Sequence, residues 1–319
     1  VFSRGVEAYL KIGAQTSNGA TVSIHWSSFP IRYFVTNTDV PGVTAPQLQQ
    51  AIDRGFQAWQ GVPNLLLSSQ FVGFTGMTPS GSTGATVIGF EDHPELDRVL
   101  GATSFTIDTV TGEILDSEIF LNSEFPWSVS DAGEAGRQDV QSIITHELGH
   151  LHGLGHSAIG ETELLAGGGR QVLAEGSIMF PIAFTAGTLN RALYPDDAAG
   201  ISDIYGGTAF HAATGSIAGR VTKNGSGVLG AHIVAFNPAT SAMVGGFSLA
   251  GDGSFTIGGL QPGTYVLRAE PLDDADPGSF LSTSVNVDFN FTPAFATKLV
   301  TVTAGGTASG VELKVAPKS

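Results

Sequence analysis

The chain has 319 residues, 43 of them glycine, no cysteine and a formal net charge of −15. Without a thiol it can form no disulfide, iron–sulfur cluster or cysteine nucleophile. The acidity is uneven, with 8 Lys+Arg against 22 Asp+Glu in residues 1–210 and 6 against 7 in residues 211–319. Such a field argues against nucleic acid and anionic membrane as partners, and favours divalent cations or cationic substrates.

No run of 18 apolar residues occurs, so no membrane span is expected. The chain starts at Val1 without a basic-then-apolar leader, which is the expectation for a processed or trimmed form. Residues 1–19 carry little pattern and are expected to form an arm over the first domain. Alternating apolar positions then predict strands at Thr21–Ser27 and Ile31–Thr36. Thr44-Ala45-Pro46-Gln47 reads as a capping-box helix start with proline in the first turn. Leu48, Ile52, Phe56 and Trp59 follow at steps of four, four and three, an apolar stripe that should face a sheet. Further strands are predicted at Leu65–Phe71, Thr86–Phe90, Thr103–Ile107 and Ile114–Leu121.

A helix capped by Asp139 should run through Leu151. A glycine-rich loop is expected from Ser157 to Gly176, then a helix capped by Asp196 and Asp197 that ends at Tyr205-Gly206-Gly207. From Ala212 onward helix signals vanish. Short β runs at Ser216–Val221, His232–Phe236, Ser254–Ile257, Thr264–Ala269, Leu299–Val302 and Val311–Val315 have the spacing of a small β-sandwich. The expected organisation is an α+β catalytic domain over 1–210 and an all-β sandwich over 211–319.

The most informative stretch is His146-Glu147-Leu148-Gly149-His150-Leu151-His152-Gly153-Leu154-Gly155-His156. On a helix His146 and His150 lie one turn apart on one face, so both imidazoles can reach one metal ion. Gly153 can take a left-handed conformation, turn the chain and bring up His156 as a third ligand. Three neutral nitrogens with one open position suit a catalytic zinc, which lowers the pKa of its bound water toward about 7. Glu147 is then the candidate general base, taking the water proton and passing it to a leaving amine. His152 faces away from His150 and is read as packed or exposed, not as a ligand.

These residues resemble the zinc motif of metzincin metallopeptidases, and Ser157 directly after the third histidine resembles the matrixin-like branch. Met179 looks like the methionine of the family's Met-turn, a hydrophobic floor beneath the metal. Pro181 stands where other branches carry a zinc-binding tyrosine. Pro195-Asp196-Asp197-Ala198-Ala199-Gly200-Ile201-Ser202-Asp203-Ile204-Tyr205-Gly206 is similar to the closing helix of matrixin catalytic domains, and Ile31–Trp59 also fits. The resemblance covers about residues 20–207. It implies a mostly antiparallel twisted sheet with an active-site helix, and a secreted, monomeric zinc endopeptidase that cuts internal bonds of extended polypeptides. It also implies that the strand Glu113–Asn122 is the sheet edge that pairs with substrate, with acidic residues nearby for a structural calcium. Asp116 and Glu118 are the candidates, with Asp92, Asp97 and Asp108 as alternatives.

Some features depart from the family. His156 and Met179 are 23 positions apart, so Gly160–Gly176 reads as an insertion near the cleft. Only His25 and His93 lie upstream of the motif, so the matrixin structural zinc is not carried over. A chain without cysteine has no cysteine switch. The stretches Gly215–Val221 and Gly253–Tyr265 resemble carboxypeptidase-regulatory-like (prealbumin-type) β-sandwiches, which implies spacing, stability or binding rather than catalysis. The competing reading is a non-catalytic zinc-stabilised scaffold or adhesion protein; hydrolysis of a non-peptide amide or peptidoglycan cross-link is a second.

Overall fold

The computed structural model describes residues 10–15, 21–79, 84–281 and 285–318. The arm expected over residues 1–19 lies outside them except for 10–15. Two compact units form, and neither is one continuous stretch. The first is Gly13–Gly153 with Ala183–Ala192; the second joins residues 10–12, 154–182 and 193–318. The expected boundary after residue 210 falls inside the second unit.

The first unit is built on a five-stranded sheet. Its strands are β1 (Ile31–Thr36), β2 (Ser69–Thr75), β3 (Thr86–Glu91), β4 (Gly101–Ile107) and β5 (Ile114–Asn122), in the order β2-β1-β3-β5-β4. The expectation of a mostly antiparallel sheet is corrected: β1 runs parallel to β2 and β3, β3 runs parallel to β5, and only β4 and β5 are antiparallel. The reason lies in the connections. Helix α1 (Ala45–Gln60) returns the chain from β1 to the start of β2, and such a crossover forces parallel pairing. A tight turn joins only β4 to β5, where Asp108 Oδ1 accepts from the N–H groups of Val110 (2.7 Å) and Thr111 (3.1 Å). Alternation along a strand tells which face a residue takes; it carries no information about the direction of the neighbour.

Leu48, Ile52, Phe56 and Trp59 of α1 are at most 1% exposed, as their spacing predicts. Gln47 Oε1 accepts from the Thr44 N–H at 2.9 Å in the expected capping box. Gly55 lets α1 cross closely over α2 (Val140–Leu151), because a Cβ there would sit 2.8 Å from Leu148 Cδ1. Trp59 Nε1 donates to the Thr145 carbonyl across that crossing, at 2.9 Å. Asp139 caps α2 through the Ser142 N–H (2.9 Å), and the Arg191 guanidinium grips the same carboxylate at 2.6 and 2.8 Å. The strand predicted at Leu65–Phe71 begins instead at Ser69. Its partner β1 starts at Ile31, after Pro30, which has no N–H to extend the ladder. Leu66 is left 89% exposed.

In the second unit the expected glycine-rich loop is a hairpin of β6 (Gly160–Leu164) and β7 (Arg170–Glu175), antiparallel to each other. The glycines make its turn, with φ of +85° at both Gly168 and Gly169. Helices α3 (Pro195–Tyr205) and α4 (Thr208–Ala213) follow. The strands of three or more residues that follow are β8 (Gly215–Lys223), β9 (His232–Asn237), β10 (Ala242–Phe247), β11 (Ser254–Leu260), β12 (Gly263–Glu270), β13 (Val300–Val302) and β14 (Thr307–Val315). In one sheet β8 lies between β11, antiparallel, and β14, parallel. In the other β9 lies between β10 and β12, and β12 also pairs with β13. The strand β10 escaped the sequence pattern because Gly245 and Gly246 interrupt its alternation. Helix α3 packs on β10 and β11. No described helix is long and apolar enough to cross a membrane.

His152, which ends α2, is packed. Its ring lies 6.0 Å from those of Phe56 and Trp59, and Nδ1–H donates to the Leu148 carbonyl at 2.6 Å. Burial pushes the imidazole down from 6.5 to about 4, with the Leu148 bond opposing. Between those values the unfolded chain binds a proton that the native chain refuses. The stability tied to neutral His152 is therefore complete above pH 6.5 and is lost as pH falls toward 4. Urea unfolding of His152→Phe should show a shallower pH dependence across that window, by up to about 1.4 kcal/mol per pH unit. An unchanged slope contradicts this account.

Candidate functional site

Helix α2 sets His146 and His150 with ring centroids 4.8 Å apart and planes at 88°. Gly153 then takes φ +95°, the left-handed turn its position predicted, and its N–H donates to the His150 carbonyl at 2.6 Å. His146, His150 and His156 each bring a ligand nitrogen, and these atoms lie within 4.8 Å of one another. Among the described residues this is the group of three or more metal-ligating side chains, and it contains no carboxylate. An all-imidazole set of three fits an open zinc site and falls one ligand short of a closed structural one. His156 Nδ1 lies 2.5 Å from the Ser279 carbonyl, and burial lowers its pKa, with that hydrogen bond opposing. A carbonyl only accepts, so Nδ1 carries the proton and Nε2 the lone pair.

Glu147 is 4% exposed. Burial pushes its carboxyl up to about 7, against the pull of Thr103, whose hydroxyl donates to Oε2 at 2.7 Å. Gly101 leaves room beside it, since a Cβ there would stand 3.3 Å from Glu147 Oε1 and 2.9 Å from the Phe120 carbonyl. Sequence reasoning missed both residues, because Thr103 reaches Glu147 across 44 positions with no motif to mark it. Both belong to β4, and β4 rather than β5 is the sheet edge. The expectation that Glu113–Asn122 is the edge is corrected: β5 pairs with β3 on one side and β4 on the other. Beyond β4 no further strand pairs with it among the described residues.

Met179 is buried at 2% exposure, and its carbonyl accepts from the Ser157 N–H at 2.9 Å. The turn that holds it is organised by Asp197, which accepts from the Ser177 hydroxyl, the Ile178 N–H (2.9 Å) and the Tyr194 N–H (2.8 Å). Asp196 accepts from the Ser157 hydroxyl (2.6 Å) and from the Gly245 N–H (2.8 Å). Burial raises both carboxyls, Asp196 to about 6 and Asp197 to about 7, while these donors favour the charged forms.

Asp116 and Glu118 point inward from β5 at 6% and 3% exposure. Glu118 Oε2 accepts from Ser104 Oγ at 3.2 Å, whereas Asp116 Oδ1 is buried without a hydrogen-bond partner. His25 Nδ1 contacts the Ser23 carbonyl (3.2 Å), and His93 Nδ1 pairs with Glu95 (2.9 Å) while its ring stacks on Phe120. Asp108 serves the β4–β5 turn.

Residues 25–166 match the matrixin family model. Three metalloendoproteinases of Arabidopsis thaliana are similar. 5-MMP is 30% identical over 154 residues, 44% of this chain and 37% of its own length. 2-MMP is 29% identical over 172 residues, 50% and 37%. 1-MMP is 26% identical over 190 residues, 57% and 44%. The chain thus spans about two fifths of the length of these relatives. Over residues 25–166 the chain is thus similar to matrixins, a metallopeptidase family that implies a catalytic zinc, and the three histidines offer a group that could hold one. The match takes in the motif and stops before Met179 and α3.

Asp197→Asn keeps the size and removes one acceptor from the Met179 turn, leaving an amide against a donor. A loss of about 1–3 kcal/mol is expected in chemical unfolding, and a variant as stable as the parent would mean that this carboxylate does not organise the turn.

Proposed function

We propose that the chain is a secreted zinc-dependent endopeptidase that hydrolyses internal peptide bonds of extended polypeptides. The observation that carries this reading is the buried Glu147, held by Thr103, on the helix that brings His146 and His150 into one group with His156. The three imidazoles would hold zinc through neutral nitrogens, with Met179 beneath them as the hydrophobic floor of the family's Met-turn. When bound, zinc supplies Lewis acidity toward the scissile carbonyl and an acidified water.

Glu147 is the general base. Its raised pKa places it where a carboxylate can take a proton near neutrality and return it to the departing amine. Below that pKa it is already protonated, and each histidine ligand must also be neutral, so turnover falls on the acid side of neutrality. The Thr103 hydroxyl keeps the carboxylate oriented and lowers its pKa, opposing burial. An extended substrate fits the outer edge of β4, which offers backbone groups for strand addition with little demand on side chains. The strands of residues 215–315 are read as a prealbumin-type β-sandwich module. The orphan Oδ1 of Asp116, beside Glu118, supports a structural calcium there.

Glu147→Ala should lower peptide turnover by about 10²–10⁴-fold while metal analysis still finds one bound zinc. The substrate is a mixed peptide library, with new termini read by mass spectrometry with and without a chelator. Near-native turnover in the variant removes Glu147 from the mechanism, and no chelator-sensitive cuts from a zinc-loaded parent would favour the scaffold reading. Calcium should raise the melting temperature of the parent and have a smaller effect on Asp116→Asn; equal effects would place the ion elsewhere.

A further inference from the structure

We infer that Ser279, through its main-chain carbonyl, is a positioning residue for the third imidazole of the metal group. The C-terminal strand region then takes part in the metal site. This rests on reading His146, His150 and His156 as the zinc ligands.

The contact joins residues 123 positions apart, with His156 Nδ1 at 2.5 Å from the Ser279 oxygen. A ligating histidine commonly gives its other ring N–H to a carbonyl or carboxylate, which fixes the tautomer and the ring plane and makes the ligating nitrogen more basic. His146 and His150 inherit their orientation from α2. His156 lies three residues past the left-handed turn at Gly153, outside any helix or strand, and needs an orienting group of its own.

The carbonyl is firmly placed. It ends a single 3₁₀ turn, Pro277–Ser279, in which Asp276 Oδ1 accepts from the Gly278 N–H at 3.0 Å. The N–H groups of Phe280 and Leu281 both return to the Pro277 carbonyl, at 3.0 and 2.9 Å. Phe280 and Leu281 are then buried in a cluster with Ala158, Phe247, Leu272 and Ala275, and the Phe280 ring meets His156 edge-on at 6.4 Å. Upstream, the Asp274 carbonyl accepts from the Thr162 hydroxyl at 2.6 Å. A second tie acts on the next residue: Asp196 links the Ser157 hydroxyl to the N–H of Gly245 in β10. Residues 156 and 157 are therefore both held by the part of the chain that carries the C-terminal sheets.

A backbone carbonyl is tested by ester substitution in the full chain. An α-hydroxy acid in place of Phe280 makes the Ser279 carbonyl a weaker acceptor and removes one N–H bonded to Pro277. The same change at Leu281 removes the other N–H bonded to Pro277 and weakens the Phe280 carbonyl instead, so it is the matched control. Relative to that control, the ester at 280 should weaken zinc binding by about tenfold or more in chelator competition. It should also shift the visible spectrum of the cobalt-substituted protein, with the metal-free melting temperatures of the two esters alike. Asp276→Ala loosens the same turn from its other end and should weaken zinc in the same direction if an ester fails to fold. Equal zinc affinity and equal cobalt spectra for the two esters would overturn the role of Ser279. Unchanged zinc binding in His156→Ala would instead overturn the reading of the triad itself, and the inference with it.

Discussion

Three imidazoles can share one ion only when their neutral nitrogens converge, and this requirement constrains much of the chain around residues 146–156. A helix supplies two of the three at no extra cost, because its pitch stacks positions four apart. The third has to come from beyond the helix end, through a backbone conformation that a side chain would oppose. Gly153 at φ +95° provides that turn. What the turn delivers is then secured by hydrogen bonds from distant positions: Ser279 to the His156 ring, Asp196 to Ser157, and the Met179 carbonyl to the Ser157 N–H.

The buried carboxylates divide into two kinds. Asp196 holds two donors and Asp197 three, and both act as fixed acceptors that hold backbone segments in register. Glu147 has one hydroxyl on one oxygen; burial raises its carboxyl to about 7, as it raises that of Asp197, so the two kinds differ in their donors and not in their pKa. Buried carboxyls of similar pKa thus differ in how many N–H and O–H groups surround them.

The sheet of the first unit has a related logic. Its strands run mostly parallel because a helical crossover and long connections join them. Strand β4 is the exception: it leads into β5 by a tight turn, runs antiparallel to it, and ends the sheet on that side. It is also the strand that carries Thr103 and Gly101, the residues against Glu147. The exposed edge and Glu147 are therefore neighbours by construction.

Much was legible in the sequence where the information is local. The spacing of His146, Glu147, His150 and His156, the glycine at 153, the Asp139 cap and the Leu48–Trp59 stripe all follow from helix pitch and backbone sterics over a few residues. The resemblance singled out Met179 and the stretch from Pro195 to Gly206 that includes Asp197. The direction of strands and the identity of the edge were not legible, since they depend on which distant segments pair, and glycine blurs the alternation in the hairpin at 160–175 and the strand at 242–247. Thr103, Asp196 bound to Gly245, and above all Ser279 against His156 were beyond reach for the same reason. A main-chain carbonyl leaves no signature in the amino-acid code, so only the tertiary structure could assign it a place beside the third histidine.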